Sequence, residues 1–179
     1  METNTNIQKE QMLKTLLQEF KTSNNLDKII TYFGDVTSKT VIIGESPTPS
    51  HYVSNSNKAF CFDIEDFDHT GRSGEVLLKV LKDLNIDKNT LLFNNLFKIP
   101  YQDVNNTNHS LHIELFNKEL EIIDPDTIII LGNIAWNHFP FTNFEKKNII
   151  RIFHPAYILR HNYKYYDDYL YKWRKALCK

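Results

Sequence analysis

Four short apolar runs, separated by helix-patterned segments, constrain this chain most. They are Thr40-Val41-Ile42-Ile43, Leu91-Leu92-Phe93-Asn94, Thr127 to Leu131 and Ile149 to Phe153. Near-continuous apolar runs of this length predict strands buried on both faces. Helical spacing fills the intervals. Leu13, Leu16, Leu17 and Phe20 share one face within a helical region from Gln8 to Phe33. Leu26, Ile29, Ile30 and Phe33 continue it as a second short helix ended by Gly34. Gly74 to Leu84 is amphipathic, and Ser110 caps a helix running to Ile123. Asn133 to Phe139 is a short helix, and Tyr163 to Leu177 ends the chain as another. Strands alternating with helices predict a three-layer α/β/α sandwich around a mostly parallel four-stranded sheet.

The length of 179 residues is expected to form one domain, with a helical segment over 1–36 and the core over 37–179. The formal net charge of −1 gives no global attraction to nucleic acid, although a local basic patch can still bind it. Two cysteines, Cys61 and Cys178, without a CxxC pair argue against a disulfide framework, a zinc ribbon or a four-cysteine iron–sulfur site. His109 and His112 lie at i, i+3, but no third ligand accompanies them. No metal and no cofactor is therefore expected. The polar start does not read as a signal peptide, and no apolar run spans a bilayer. A cytoplasmic monomer is the expectation.

Two strand ends carry unusual polar segments. Gly44-Glu45-Ser46-Pro47 follows the first strand, and His154-Pro155-Ala156-Tyr157-Ile158-Leu159-Arg160 follows the last. Parallel α/β sheets bind ligands outside the carboxyl ends of their strands. The two segments are thus expected to face one crevice, bringing Glu45 and His154 together.

In order and spacing these segments resemble the uracil-DNA glycosylase superfamily, most closely its family-4 branch. Gly44-Glu45-Ser46-Pro47 is similar to the family's first motif, Gly-Glu-Ala-Pro-Gly. His154 to Arg160 is similar to its second, His-Pro-Ser-Ala-Leu-Leu-Arg. Asn95-Leu96-Phe97-Lys98 stands where the family has Asn-Val-Val-Lys. Gly71-Arg72-Ser73-Gly74 and Asp124-Pro125 before Ile128 to Gly132 add weaker support. The resemblance spans roughly Val41 to Arg160. It departs at Thr48, where the family has glycine, and at the missing cluster cysteines. The stretch from Phe60 to Gly71 looks like an insertion.

The resemblance implies a role for each position. Glu45 orients or deprotonates the attacking water and stabilises a cationic sugar; alternatively it is a solvated strand-end glutamate. His154 donates to the base O2 as negative charge develops, which neutral imidazole can do; alternatively it caps a strand end. Asn95 pairs with the base edge, matching uracil in one amide orientation and cytosine in the other; alternatively it is a turn residue. Phe60 stacks on the flipped base, with Phe62 and Phe67 as rivals, or else belongs to the core. Ser46 and Thr48 flank the base. Ile158 takes the position of the apolar wedge, with Tyr157 beside it, unless both simply pack. Pro47 and Pro155 are candidate DNA contacts. Ser73, Lys98 and Arg160 are candidate phosphate contacts, or solvated surface residues.

The expected activity is hydrolysis of the N-glycosidic bond of a flipped-out pyrimidine in DNA, leaving an abasic site. The base stays open between uracil and a C5-modified pyrimidine, because Thr48 is small where the uracil-specific branch has a crowding tyrosine. Excision of modified phage bases would imply antiviral defence rather than repair. A non-catalytic DNA-damage-binding module is the alternative of a different class.

Overall fold

The computed structural model describes residues 2–53, 56–61, 71–104 and 106–178. Among the described residues five strands form one sheet. They are β1 (Phe33–Gly34), β2 (Thr40–Gly44), β3 (Leu92–Asn95), β4 (Thr127–Leu131) and β5 (Asn148–Ile152), in the order β1-β3-β2-β4-β5. The four expected strands are mutually parallel, with Gly44 opposite Asn95, Ile43 opposite Ile130 and Leu131 opposite Ile152. The fifth, β1, is antiparallel to β3 and pairs Phe33 with Phe93.

This fifth strand corrects the expected helix from Leu26 to Phe33. Helix α1 (Glu2–Ser23) ends in a pair of closing hydrogen bonds. The Asn25 N–H donates to the Thr22 carbonyl and the Leu26 N–H to the Lys21 carbonyl, with Asn25 at φ 49. A left-handed residue in that position terminates a helix. The chain beyond it runs extended instead, with the Ile30 N–H donating to the Lys98 carbonyl and the Thr31 N–H to the Asn57 carbonyl. Apolar spacing alone could not separate these two outcomes.

Both faces of the sheet are covered. Val41, Ile43, Leu92, Ile128 and Ile130 pack under α1 and α4 (Asn106–Ile123), meeting Leu13, Leu17, Leu115 and Phe116. Ile42, Phe93 and Ile129 point the other way, toward Val76, Leu77 and Val80 of α3 (Gly71–Asp83) and Trp173 of α7 (Tyr166–Leu177). Successive side chains alternate between the two faces, and both are dry, which explains the absence of polar alternation. Leu13 and Leu17 lie inside the core, so the N-terminal helix is built into it. Helix α4 starts at Asn106, four residues before Ser110, so Ser110 does not cap it. Three shorter α-helices are also found among the described residues: α2 (Pro49–Val53), α5 (Gly132–His138) and α6 (Pro155–Arg160). Among the described residues no helix is long and apolar enough to cross a membrane.

Candidate active site

The carboxyl ends of four parallel strands form one rim. Asn95 ends β3, Glu45 follows β2, Gly132 follows β4, and His154 lies two residues beyond β5. Since β2 lies between β3 and β4, the order along the rim is Asn95, Glu45, Gly132, His154. The chain leaves β2 and β4 toward opposite sides of the sheet, the arrangement that opens a crevice at strand ends. Backbone bonds lock the central loops together: the Leu96 N–H donates to the Gly44 carbonyl at 3.1 Å, and the Phe97 N–H to the Glu45 carbonyl at 2.9 Å.

Gly44 brings Asn95 and Phe60 together. A Cβ on Gly44 would lie 2.5 Å from Asn95 Oδ1 and 3.0 Å from Phe60 Cζ. Both side chains therefore converge over a spot that only hydrogen can occupy. Phe60 sits in a short 3-10 turn (Ala59–Cys61) at φ 61, ψ 10, a conformation costing roughly 1–2 kcal/mol for a residue with a Cβ. Its neighbour Ala59 ties the turn to the Thr31 carbonyl at 2.7 Å, and its ring meets Phe93 edge-on at 5.8 Å. Phe62 and Phe67 lie outside the described residues.

Glu45 is half-buried, and burial raises its carboxyl pKa above the ordinary value. His154 is also half-buried and caps α6, its Nδ1 accepting the Ala156 N–H at 3.2 Å. Burial, then the nearby Arg160 guanidinium, lowers its pKa. The ring is thus neutral near pH 7. With Nδ1 used as an acceptor, its proton lies on Nε2, leaving that N–H to donate. Gly132 makes the approach possible: it has φ 85, and a Cβ there would lie 2.9 Å from His154 Cβ. Gly132→Ala should therefore lower the urea midpoint, through backbone strain of about 1–2 kcal/mol and through displacement of His154. A midpoint equal to that of the wild type would show that the imidazole does not depend on this contact.

Three assignments from the sequence are corrected. Lys98 is neither a phosphate contact nor a solvated residue; it is 0% exposed. Its Nζ lies 2.6 Å from Glu119 Oε2, 2.6 Å from Asn94 Oδ1 and 2.9 Å from the Asn95 carbonyl. Three acceptors match the three donors of an ammonium. Asn94 Oδ1 also accepts the Asn95 N–H at 2.9 Å, so Asn95 is clamped at both ends of its backbone. Ile158, in the wedge position, is 1% exposed and packs with the α3 and α7 cluster. Pro47 and Pro155 are buried as well; they stiffen the loop after β2 and the first turn of α6 rather than offering exposed surface to DNA.

The remaining candidates lie near the rim or on its margins. Ser46 is half-buried, Thr48 is exposed with its Oγ1 3.0 Å from Ser50 Oγ, and Ser73 is half-buried in the first turn of α3. Tyr157 is half-buried, and Arg160 is exposed at the end of α6. His112 is not paired with His109. Its Nδ1 accepts the Lys98 N–H at 3.4 Å, and burial lowers its pKa to about 4. His109 Nε2 instead lies 3.1 Å from His138 Nδ1. A groove of about 820 Å³ beside α1 contains none of the rim residues, and its lysine- and glutamine-rich walls offer no converging chemistry.

Sequence reasoning missed Glu119, Asn94 and the packing roles of Gly44 and Gly132. Glu119 had a signal, since it sits between Leu115 and Ile123 on the apolar stripe of α4. The glycines had none beyond their place at strand ends.

Comparison with curated proteins finds no match. The family model described as the uracil DNA glycosylase superfamily matches residues 31–178, most of the chain and every rim residue. With Glu45, Asn95 and His154 at adjoining strand ends, this chain belongs to the uracil DNA glycosylase superfamily.

Proposed function

We propose that this protein is a monofunctional DNA glycosylase that hydrolyses the N-glycosidic bond of a flipped-out pyrimidine. The observation that carries the reading is the convergence of the Asn95 amide and the Phe60 ring over Gly44, next to Glu45 on the same rim. An aromatic face and an amide edge are what an extruded base needs, and stacking supplies roughly 1–3 kcal/mol toward the cost of flipping.

In this mechanism the C1′–N1 bond breaks and its electron pair leaves with the base. Charge on the departing base gathers at O2, where the His154 Nε2–H donates. Glu45 accepts a proton from the water whose oxygen bonds to C1′, and its negative charge stabilises the cationic sugar. The products are an abasic sugar and a base anion, which takes a proton from solvent as Glu45 releases its own, so that the free base leaves neutral and the carboxylate is restored. The raised pKa of Glu45 suits a proton acceptor, and the neutral ring of His154 suits a donor that need not give up its proton.

The similarity of the two motifs points to the family-4 branch without its iron–sulfur cluster, since Cys61 and Cys178 are the only cysteines. Thr48 is small where the uracil-specific branch has a tyrosine, so uracil and C5-modified pyrimidines are both candidate substrates. Oligonucleotides carrying uracil, thymine, 5-hydroxymethyluracil or a modified cytosine will separate them by alkali-labile strand breaks. Abasic sites from uracil or a C5-modified base are the expected result. Binding without cleavage of any substrate would replace this reading with a non-catalytic, damage-binding one.

A further inference from the structure

We infer that the surface of α6 and α7 beside His154 binds unpaired bases, so that the substrate is single-stranded DNA. The inference rests on the proposed action on DNA. Duplex readers open the stack with an exposed apolar wedge, and here the residue in that position, Ile158, lies in the core. Flat aromatic rings take the exposed positions. Phe153, just before His154, is 45% exposed, and Tyr171 is 56% exposed. Phe153 stacks on Tyr157 at 4.9 Å and 27°, and Tyr157 on Tyr165 at 5.9 Å and 24°. A groove of about 230 Å³ runs between these rings and Tyr171, with Ile158 in its floor and room for a planar base.

The segment that carries this groove has a basic balance that suits a nucleic-acid strand. From Arg151 to Lys179 the chain has seven Lys and Arg against two Asp, a formal +5. The whole chain carries −1, so the remainder carries −6. Lys172 and Asp168 line the groove, Lys164 Nζ lies 5.3 Å from the Tyr165 centroid, and Arg160 is exposed at the end of α6. Lys172 Nζ lies 4.4 Å from the Phe153 centroid. An exposed cation–π contact is weaker than the stacking of a base on an aromatic ring. An arriving base therefore displaces the lysine, whose ammonium then meets a phosphate. Aromatic platforms interleaved with cations are the general device for unpaired strands.

Fluorescence anisotropy with a labelled 20-nucleotide strand of unmodified DNA, the strand checked for integrity after each titration, tests this apart from excision. Wild-type protein should bind the single strand more tightly than its duplex. Phe153→Ala and Tyr171→Ala should each weaken single-strand binding roughly fivefold or more, with little effect on the duplex, and Phe153→Trp should retain it. Both rings are exposed, so truncation leaves the core intact. Equal or tighter duplex binding, alanine variants within twofold of wild type, or tighter binding of the matched RNA would each overturn the inference. Failure of every substrate in the cleavage assay, with strand selectivity intact, would instead overturn the glycosylase reading.

Discussion

Lys98→Met should lower the free energy of unfolding by about 3–5 kcal/mol, the usual cost of breaking a buried ion pair from one side. Lys98 and Glu119 are both 0% exposed, and their charges face each other at 2.6 Å. Burial pushes the lysine pKa down and the glutamate pKa up, and their mutual attraction opposes both shifts without cancelling them. Removing the ammonium leaves Glu119 without its cation and takes a donor from Asn94 Oδ1 and from the Asn95 carbonyl. Lys98→Met combined with Glu119→Met should recover much of the stability, because an apolar pair of similar volume removes the buried charge altogether. Excision should not recover with it, since the Lys98 hold on the Asn95 carbonyl is still missing. Urea midpoints and single-turnover rates on the same variants check both parts. A Lys98→Met protein as stable as the wild type would show that the pair is not held in this geometry.

Glu45→Gln should reduce the rate of excision by about 10²–10⁴ while leaving DNA binding measurable, the range for loss of a positioned base. It should also make the protein slightly more stable near neutral pH. The sign follows from the raised pKa of Glu45. Between its unfolded and folded values the native state binds more protons than the unfolded chain, so stability falls as pH rises through that window. The amide removes this penalty together with the chemistry. Wild-type activity should fall as pH drops through a pKa above the ordinary carboxylate value, because the ionised form is the active one. His154 should add no limb near its ordinary value of about 6.5, since burial and Arg160 lower its pKa. Its own effect on stability runs the other way: stability is lost as pH falls from the unfolded value toward the lowered folded one. Retained excision in Glu45→Gln would remove this carboxylate from the mechanism.

Much of the architecture was legible because burial on both faces leaves a plain mark. Val41 to Ile43 and Ile128 to Leu131 read as strands without any knowledge of neighbours. The segment from Leu26 to Phe33 was not legible. Its spacing suits a helix, but Asn25 closes α1 and the partners that hold the chain extended, Lys98 and Asn57, lie far along the sequence. A lysine after an Asn-x-x motif likewise looks like a surface cation until its carboxylate appears from α4, twenty-one positions later.

The sequence by itself determined the alternation of strands and helices, the polar residues at two strand ends, and hence the presence of Glu45, Asn95 and His154 near one edge of a sheet. These follow from local pattern and from the rule that parallel strands share a carboxyl end. Tertiary structure decided what those residues can do. It bent Phe60 over Gly44 beside Asn95, gave His154 an acceptor role at Nδ1 that leaves Nε2–H to donate, and buried Lys98 and Ile158 while leaving Phe153 exposed. Each outcome depends on contacts between segments distant in sequence, and exposure and hydrogen-bond role arise only when those segments meet.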